Sequence, residues 1–517
     1  MSEYLGGWLL PLIYAAGTLA VFSQPHKLWQ IARLTATAGL VATLGAVLGA
    51  LAWVQFNAVT VDSLGLTVAL LVAVLGWVII NYSARYLTGE SDQARFVRSM
   101  LFTLTAVSVV VLSRHLAVMV LAWTGTSIGL HHLLTFYRER KAAQIVAHKK
   151  FLVSRLTEVC LVVALVLVYV SVGTLSLDGI GAYLTGRDAL PVPLQWAALL
   201  FAFAAILKTA QLPLHGWLIQ VMEAPTPVSA LLHAGIVNIG GFFLIRLAEL
   251  MSLATAAQVA LVFVGSATAL LAGLVMLTRI SIKVRLAWST CAQMGFMLME
   301  IGLGLYELAL LHLVAHSLYK AHAFLGAGET VRTTRNAGFL AIGSTIHSPF
   351  WYVGALGLSG ALVVGSSLLW NLFLPEMVVP PVALLIVALG LASLLWMEQG
   401  IAPALLARGT LQVLLLTQLY FFWHLLFAGL TPATGAVAWP LVAWVVLCFC
   451  ALYGAQVWLR CYPNGAFART FYPWAYYGFY LDETFTRITF KLWPVRLSPV
   501  QAKTLANPDS NLKRELQ

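Results

Sequence analysis

The chain has 517 residues, of which 61% are hydrophobic and 9% charged, with a formal net charge of +11. So little charge cannot cover a water-soluble surface, which excludes a soluble domain and predicts an integral membrane protein. The positive balance does not indicate a nucleic-acid binder, because the basic residues fall in particular inter-helix loops instead of on one soluble face.

Apolar stretches of about 20 residues recur from Leu5 to Leu459, roughly 14 or 15 in all, and predict an all-α polytopic helical bundle embedded in the lipid bilayer. The short alternating segments of a β-barrel are absent. Met1-Ser-Glu-Tyr lacks a basic n-region, so the first span reads as part of the bundle and not as a cleaved signal. Residues 1–97 contain spans with almost no ionisable groups in their interiors, which suits a scaffold.

Residues 98–329 differ. Their spans are interrupted by Arg155, Glu158, Lys208, His233, Lys283, His312, His316 and Lys320, and a charge at membrane depth costs roughly 2.5–3.5 kcal/mol on the insertion scale. Such groups persist where they are paired, wet and functional. Arg155 and Glu158 are one helical turn apart, so they neighbour each other and offer the carboxylate to an adjacent helix as a counter-charge for Lys208. Lys208 ends the apolar run Leu199-Leu-Phe-Ala-Phe-Ala-Ala-Ile-Leu-Lys208, and Pro213 then predicts a helix break. His312, His316 and Lys320 recur every four residues and form one stripe. Lys283 lies near a span end, where a long amine also has the option of snorkelling to the interface.

Residues 330–460 return to nearly uncharged spans, with no Lys, Arg, Asp or Glu between Arg335 and Glu376. In the tail, 461–517, aromatic residues alternate with Arg469, Asp482, Glu483 and Arg487, which suits an interfacial or docking segment; the stretch from Asn507 onward reads as disordered. Counting loops alternately, one side collects Lys27, Arg33, Arg85, Arg95, Arg98, the cluster Arg138, Arg140, Lys141, Lys149 and Lys150, then Arg279, Arg285, Arg332 and Arg335. The positive-inside rule makes that side cytoplasmic, with the N-terminus outside and the C-terminus inside a bacterial inner membrane.

The chemistry served by lysine, histidine and carboxylate lines is proton transfer. Desolvation weakens an amine's hold on its proton and a nearby carboxylate restores it, while imidazole passes protons near neutral pH. A zinc site at His312 and His316 has the right spacing, but His-Glu-x-x-His and a third ligand are missing. The five cysteines form no CxxC pair and read as packing residues, so no metal or other cofactor is expected in this chain. Nor is there a P-loop or dinucleotide fingerprint, which argues against ATP-driven pumping.

Lys208-Thr-Ala-Gln-Leu-Pro-Leu-His-Gly-Trp217, the following Met222-Glu-Ala-Pro-Thr-Pro-Val-Ser-Ala-Leu-Leu-His233, Ile282-Lys283-Val-Arg-Leu-Ala-Trp-Ser-Thr290 and His312-Leu-Val-Ala-His316-Ser-Leu-Tyr-Lys320 together resemble the proton-conducting antiporter-like subunits of respiratory complex I and Mrp antiporters. The run containing Asn238 and the aromatic tail look like the DabB family within that group, the membrane subunits of DabAB inorganic-carbon accumulation systems. The resemblance implies a subunit whose cation flux energises a soluble DabA-like partner similar to zinc carbonic anhydrases, with the zinc in the partner and no enzymatic chemistry in this chain. It also implies a relay of Glu158, Lys208, His233, Lys283, His312, His316 and Lys320. The alternatives are an NADH-quinone oxidoreductase or Mrp-type subunit, and a scaffold whose ion path has decayed. Two positions depart from the family pattern: Thr124 stands where Trp-Glu-Gly places a glutamate, and Phe350 to Pro375 lacks the later lysine or glutamate. The first leaves Glu158 to carry the switching role, and the second leaves open where a transmembrane route would end.

Overall fold

In the computed structural model, residues 5–56, 62–329, 348–375, 379–396, 403–427, 429–431 and 438–493 are described. Arg332, Arg335, Glu376, Glu398 and the segment from Asn507 onward lie outside them. The described residues form helices and no strand beyond one isolated bridge, His115 to Ser176. Among the described residues, ten helices are long and apolar enough to span a bilayer, against the 14 or 15 expected; three more are apolar but shorter, and two others of 21 and 20 residues carry the charged motifs.

The first layer comprises α1 (Leu5–Ser23), α2 (Leu28–Phe56), α3 (Ser63–Tyr86) and α4 (Gln93–Leu112). Asp62 caps α3 by accepting a hydrogen bond from the Gly65 amide at 3.0 Å, satisfying one of the orphan donors of a helix start. The same carboxylate takes a bidentate pair from Arg246, 2.6 Å at each nitrogen, which ties this layer to the core.

The core begins with α5 (Leu116–Leu134), α6 (Lys141–Val172), α7 (Leu177–Leu184) and α8 (Val192–Lys208). As Pro213 predicts, α8 stops at Lys208, and the chain turns through Ala210 at φ +54° and a cis Leu212–Pro213 peptide. It resumes as α9 (Gly216–Ile219), then α10 (Thr226–Ala234) and α11 (Ile239–Arg246), a second discontinuous span interrupted at Gly235. Broken helices leave backbone polar groups inside the membrane, tolerated only where protein or a wet cavity surrounds them. Almost every residue from Ala224 to Ile245 is buried.

After α12 (Ala248–Ser252), α13 (Thr255–Met276) crosses α14 (Ile282–Gly302) backbone to backbone. A Cβ on Gly295 would stand 2.6 Å from the Gly265 carbonyl oxygen, and one on Gly265 would stand 2.5 Å from that of Gly295, so only glycine permits the approach. α15 (Tyr306–Leu325) returns beside α14. The remaining spans are α16 (Pro349–Phe373), α17 (Pro381–Ala392), α18 (Pro403–Phe427) and α19 (Trp439–Cys461). Their exposed Leu, Phe and Trp side chains, such as Phe350, Leu372 and Trp439, suit contact with lipid.

The tail does not lie free. α20 (Ala466–Tyr476) and α21 (Leu481–Leu492) meet at a sharp turn with positive φ at Gly478, Phe479 and Tyr480, and this turn packs on Trp288. Trp493 stacks on His148 of α6, with centroids 4.0 Å apart and planes within 9°.

Candidate functional site

Lys208 is buried at the end of α8, and its amine donates to the Ser127 hydroxyl on α5. Lys150 of α6 approaches the same residue and donates to the Ser127 carbonyl at 2.8 Å. Two buried lysine side chains thus converge on one serine. Glu158 does not contact Lys208 directly: it accepts from Arg155 at 2.6 Å, the neighbour one turn away on its own helix, and acts on both lysines only through its field. The local pair wins because it needs no reach across a helix interface. The Trp123 ring lies 5.9 Å below the Lys208 amine, and Thr124 spends its hydroxyl on the Val120 carbonyl at 3.2 Å.

Lys149 and Lys150 were expected in the basic loop with Arg138, Arg140 and Lys141. Instead α6 has already begun, and both are buried, 0% and 3% exposed. Lys149 donates to the Asp482 carboxylate of α21 at 2.7 Å and to the Gln220 side chain at 3.1 Å. Gln220 and Thr486 also donate to that carboxylate, each at 3.2 Å. Gly216 makes room for it, since a Cβ there would lie 1.7 Å from Asp482 Oδ1.

The second cluster lies between α10, α14 and α15. His316 and Lys320 are buried on one face of α15, as the four-residue spacing requires, and the His312 ring lies 6.0 Å from that of His316. Lys320 donates to the Leu286 carbonyl at 3.0 Å. His233 stacks on Phe324 at 4.4 Å and, with His312 and Lys320, lies within electrostatic range of His316. Both ring nitrogens of His233 and of His316, and Nε2 of His312, are buried without a protein hydrogen-bond partner. Such groups are stabilised by bridging water, which also carries protons. Lys283 stands apart, donating to Thr226 at 2.8 Å beside Tyr86.

Sequence reasoning missed two carboxylate–histidine pairs. Glu300 Oε2 of α14 lies 3.0 Å from His312 Nδ1, and Glu307 Oε1 of α15 lies 2.7 Å from His424 Nδ1 of α18. Glu300 is a lone charge in an apolar run, the same signal that marks Lys208. Among the described residues, no three of His, Cys, Asp or Glu gather as a metal site.

Residues 113–395 match the family described as NADH:quinone oxidoreductase/Mrp antiporter, transmembrane, and residues 54–97 match the complex I chain 5 N-terminus. The probable inorganic carbon transporter subunit DabB of Hydrogenovibrio crunogenus is 38% identical over 505 residues, covering 96% of this chain and 95% of its own. The chain belongs to the DabB family. DabB2 of Halothiobacillus neapolitanus is also 38% identical, over 87% of this chain and 83% of its own. NADH-quinone oxidoreductase subunit L of Escherichia coli is 34% identical over 54% of this chain and 46% of its own. The fold is shared with the Mrp complex of Dietzia sp., TM-score 0.56 at 21% identity over 100% of this chain and 60% of that one. This DabB-family chain is therefore an antiporter-like, multi-pass membrane transport subunit.

Proposed function

We propose that this chain conducts protons as the membrane subunit of an energy-coupled inorganic-carbon accumulation complex, driving a soluble, zinc-containing carbonic-anhydrase-like partner. The observation that carries the reading is the line of buried amines and imidazoles, Lys150 and Lys208 on one side and His233, Lys320 and His316 on the other, continued by the partly buried His312, in a chain similar along nearly its whole length to DabB subunits. Subunit L matches only about half the chain, which favours this reading over a respiratory or Mrp role. Nitrogen donors suit protons better than sodium, which requires a cage of oxygen ligands. The positive loops support an inner-membrane orientation with the C-terminus in the cytoplasm. In this scheme Ser127 holds the Lys208 and Lys150 amines close to each other under the field of Glu158, and water passes the proton between them and on to the histidine cluster.

The driving energy is the membrane potential, about 2.3 kcal/mol per charge per 100 mV. Cells expressing this chain with its partner should lose bicarbonate accumulation on adding a protonophore while fermentation keeps ATP high. Accumulation that survives dissipation of both proton and sodium gradients overturns the reading.

A further inference from the structure

Beyond the lysine and histidine line, the structure holds buried ionisable groups that no step above uses. Glu300 and Glu307 flank the turn joining α14 to α15, at the end of these helices opposite Arg279, Lys283 and Arg285. Glu300 continues the α15 stripe through its 3.0 Å contact with His312, whose other ring nitrogen is buried and has no protein partner. Glu307 Oε1 lies 2.7 Å from His424 Nδ1, an ion-pair contact in which neither atom makes a hydrogen bond, so a proton passing here requires the two groups to realign or a water to bridge them. Tyr420, one turn before His424 on α18, has its ring 6.5 Å from that of His424 and lies in electrostatic range of both carboxylates. Of the four side chains Glu307 is the most exposed at 23%, while Glu300 at 8% and His312 and His424 at 9% each are little exposed.

A structural role would be a costly use of these groups. An ionisable side chain at membrane depth is destabilising unless paired, and an apolar core would replace each pair without that cost. What the pairs supply is two carboxylate–histidine contacts at one end of α14 and α15, one on the buried stripe and one with a partly exposed carboxylate. This places a charge-handling group, His424, in α18, beyond the stretch from 350 to 375 that has neither lysine nor glutamate.

Resting on the proton-conduction reading, we propose that Glu300, Glu307 and His424 form the port through which protons pass between His312 and the membrane face opposite the basic loops. No bond other than O–H and N–H is made or broken: each carboxylate or imidazole accepts a proton from one neighbour and releases it to the next. Glu307, the most exposed, exchanges with solvent.

The test uses the complete complex, purified with its partner and reconstituted in vesicles carrying an internal pH dye. Proton uptake is driven by a potassium-diffusion potential. Glu300→Gln and His424→Phe should each reduce uptake at least tenfold while the complex stays assembled by size-exclusion chromatography. Glu307→Asp should retain most of the uptake and Glu307→Gln lose it, a contrast that a purely structural carboxylate would not give. Lys208→Ala is the control for the underlying reading. Uptake abolished by Lys208→Ala but unchanged in Glu300→Gln and His424→Phe overturns the port and leaves conduction standing. Uptake unchanged in Lys208→Ala overturns conduction itself. If a port variant fails to assemble, Glu307→Asp against Glu307→Gln decides.

Discussion

Breaking the pair between Lys149 and Asp482 should release the C-terminal helix from the ion-path core. Removing one member of a fully buried pair costs about 3–5 kcal/mol, because the other charge is left desolvated. Here the cost is smaller: the Asp482 side chain is 22% exposed, and Lys149 keeps the Gln220 oxygen at 3.1 Å. About 2 kcal/mol is the expected loss for Asp482→Asn, which multiplies the undocked population of α21 about 30-fold. Thr489 reports that population, since it is 2% exposed in the docked tail and its hydroxyl bonds only within its own helix, to the Phe485 carbonyl. In a Thr489→Cys background, maleimide labelling of that peptide, followed by mass spectrometry, should therefore accelerate about 30-fold on adding Asp482→Asn when opening is fast relative to labelling. Gly216→Ala should act in the same direction, because its Cβ would occupy the space of Asp482 Oδ1. The pair in Lys149→Met with Asp482→Asn should lose less than the sum of the single changes, as each then no longer strands a charge. Labelling within threefold of the parent in both Asp482→Asn and Gly216→Ala would show that the aromatic contacts hold the tail and that the ion pair adds nothing.

Two further outcomes are expected. Lys150→Met should abolish carbon-dependent growth at ambient CO2 as fully as Lys208→Met does, with membrane levels unchanged, because both buried amines are held at the same residue, Ser127; growth like the parent's would remove Lys150 from the path. Gly295→Ala should destabilise the α13–α14 crossing by roughly 1–3 kcal/mol, read as a lower melting temperature of the detergent-solubilised complex, because its Cβ meets the Gly265 carbonyl oxygen at 2.6 Å and backbone cannot give way as a flexible side chain would.

The parts of the site legible in the sequence are those that a single helix encodes. Lys208 before Pro213 announces both a buried charge and a helix break, and the four-residue repeat of His312, His316 and Lys320 fixes their common face. Arg155 and Glu158 are also legible as neighbours, yet the same proximity defeats the expectation that Glu158 would pair with Lys208. Pairs between helices are not written in any local rule. Lys149 meets Asp482 across 333 residues of chain, and Glu307 meets His424 only because α18 packs beside α15.

Lys150 was hidden for a different reason, and it bears on how such a protein is read. A charge cluster between two apolar runs looks like a loop because about 20 residues suffice to span the bilayer, and loop lysines fit the positive-inside rule. α6 runs for 32 residues, so its charged first turns are helix buried under α9 and α21, not loop. The cover that buries them comes from the C-terminal tail, whose aromatic and charged composition was consistent with lipid or partner contact. With Lys149 and Lys150 buried, Arg138, Arg140 and Lys141 are what is left of that cluster for a positive-inside count. The same residue types thus stand in a water-facing loop and in the buried core, and what separates the two placements is whether a second, distant helix excludes solvent from them.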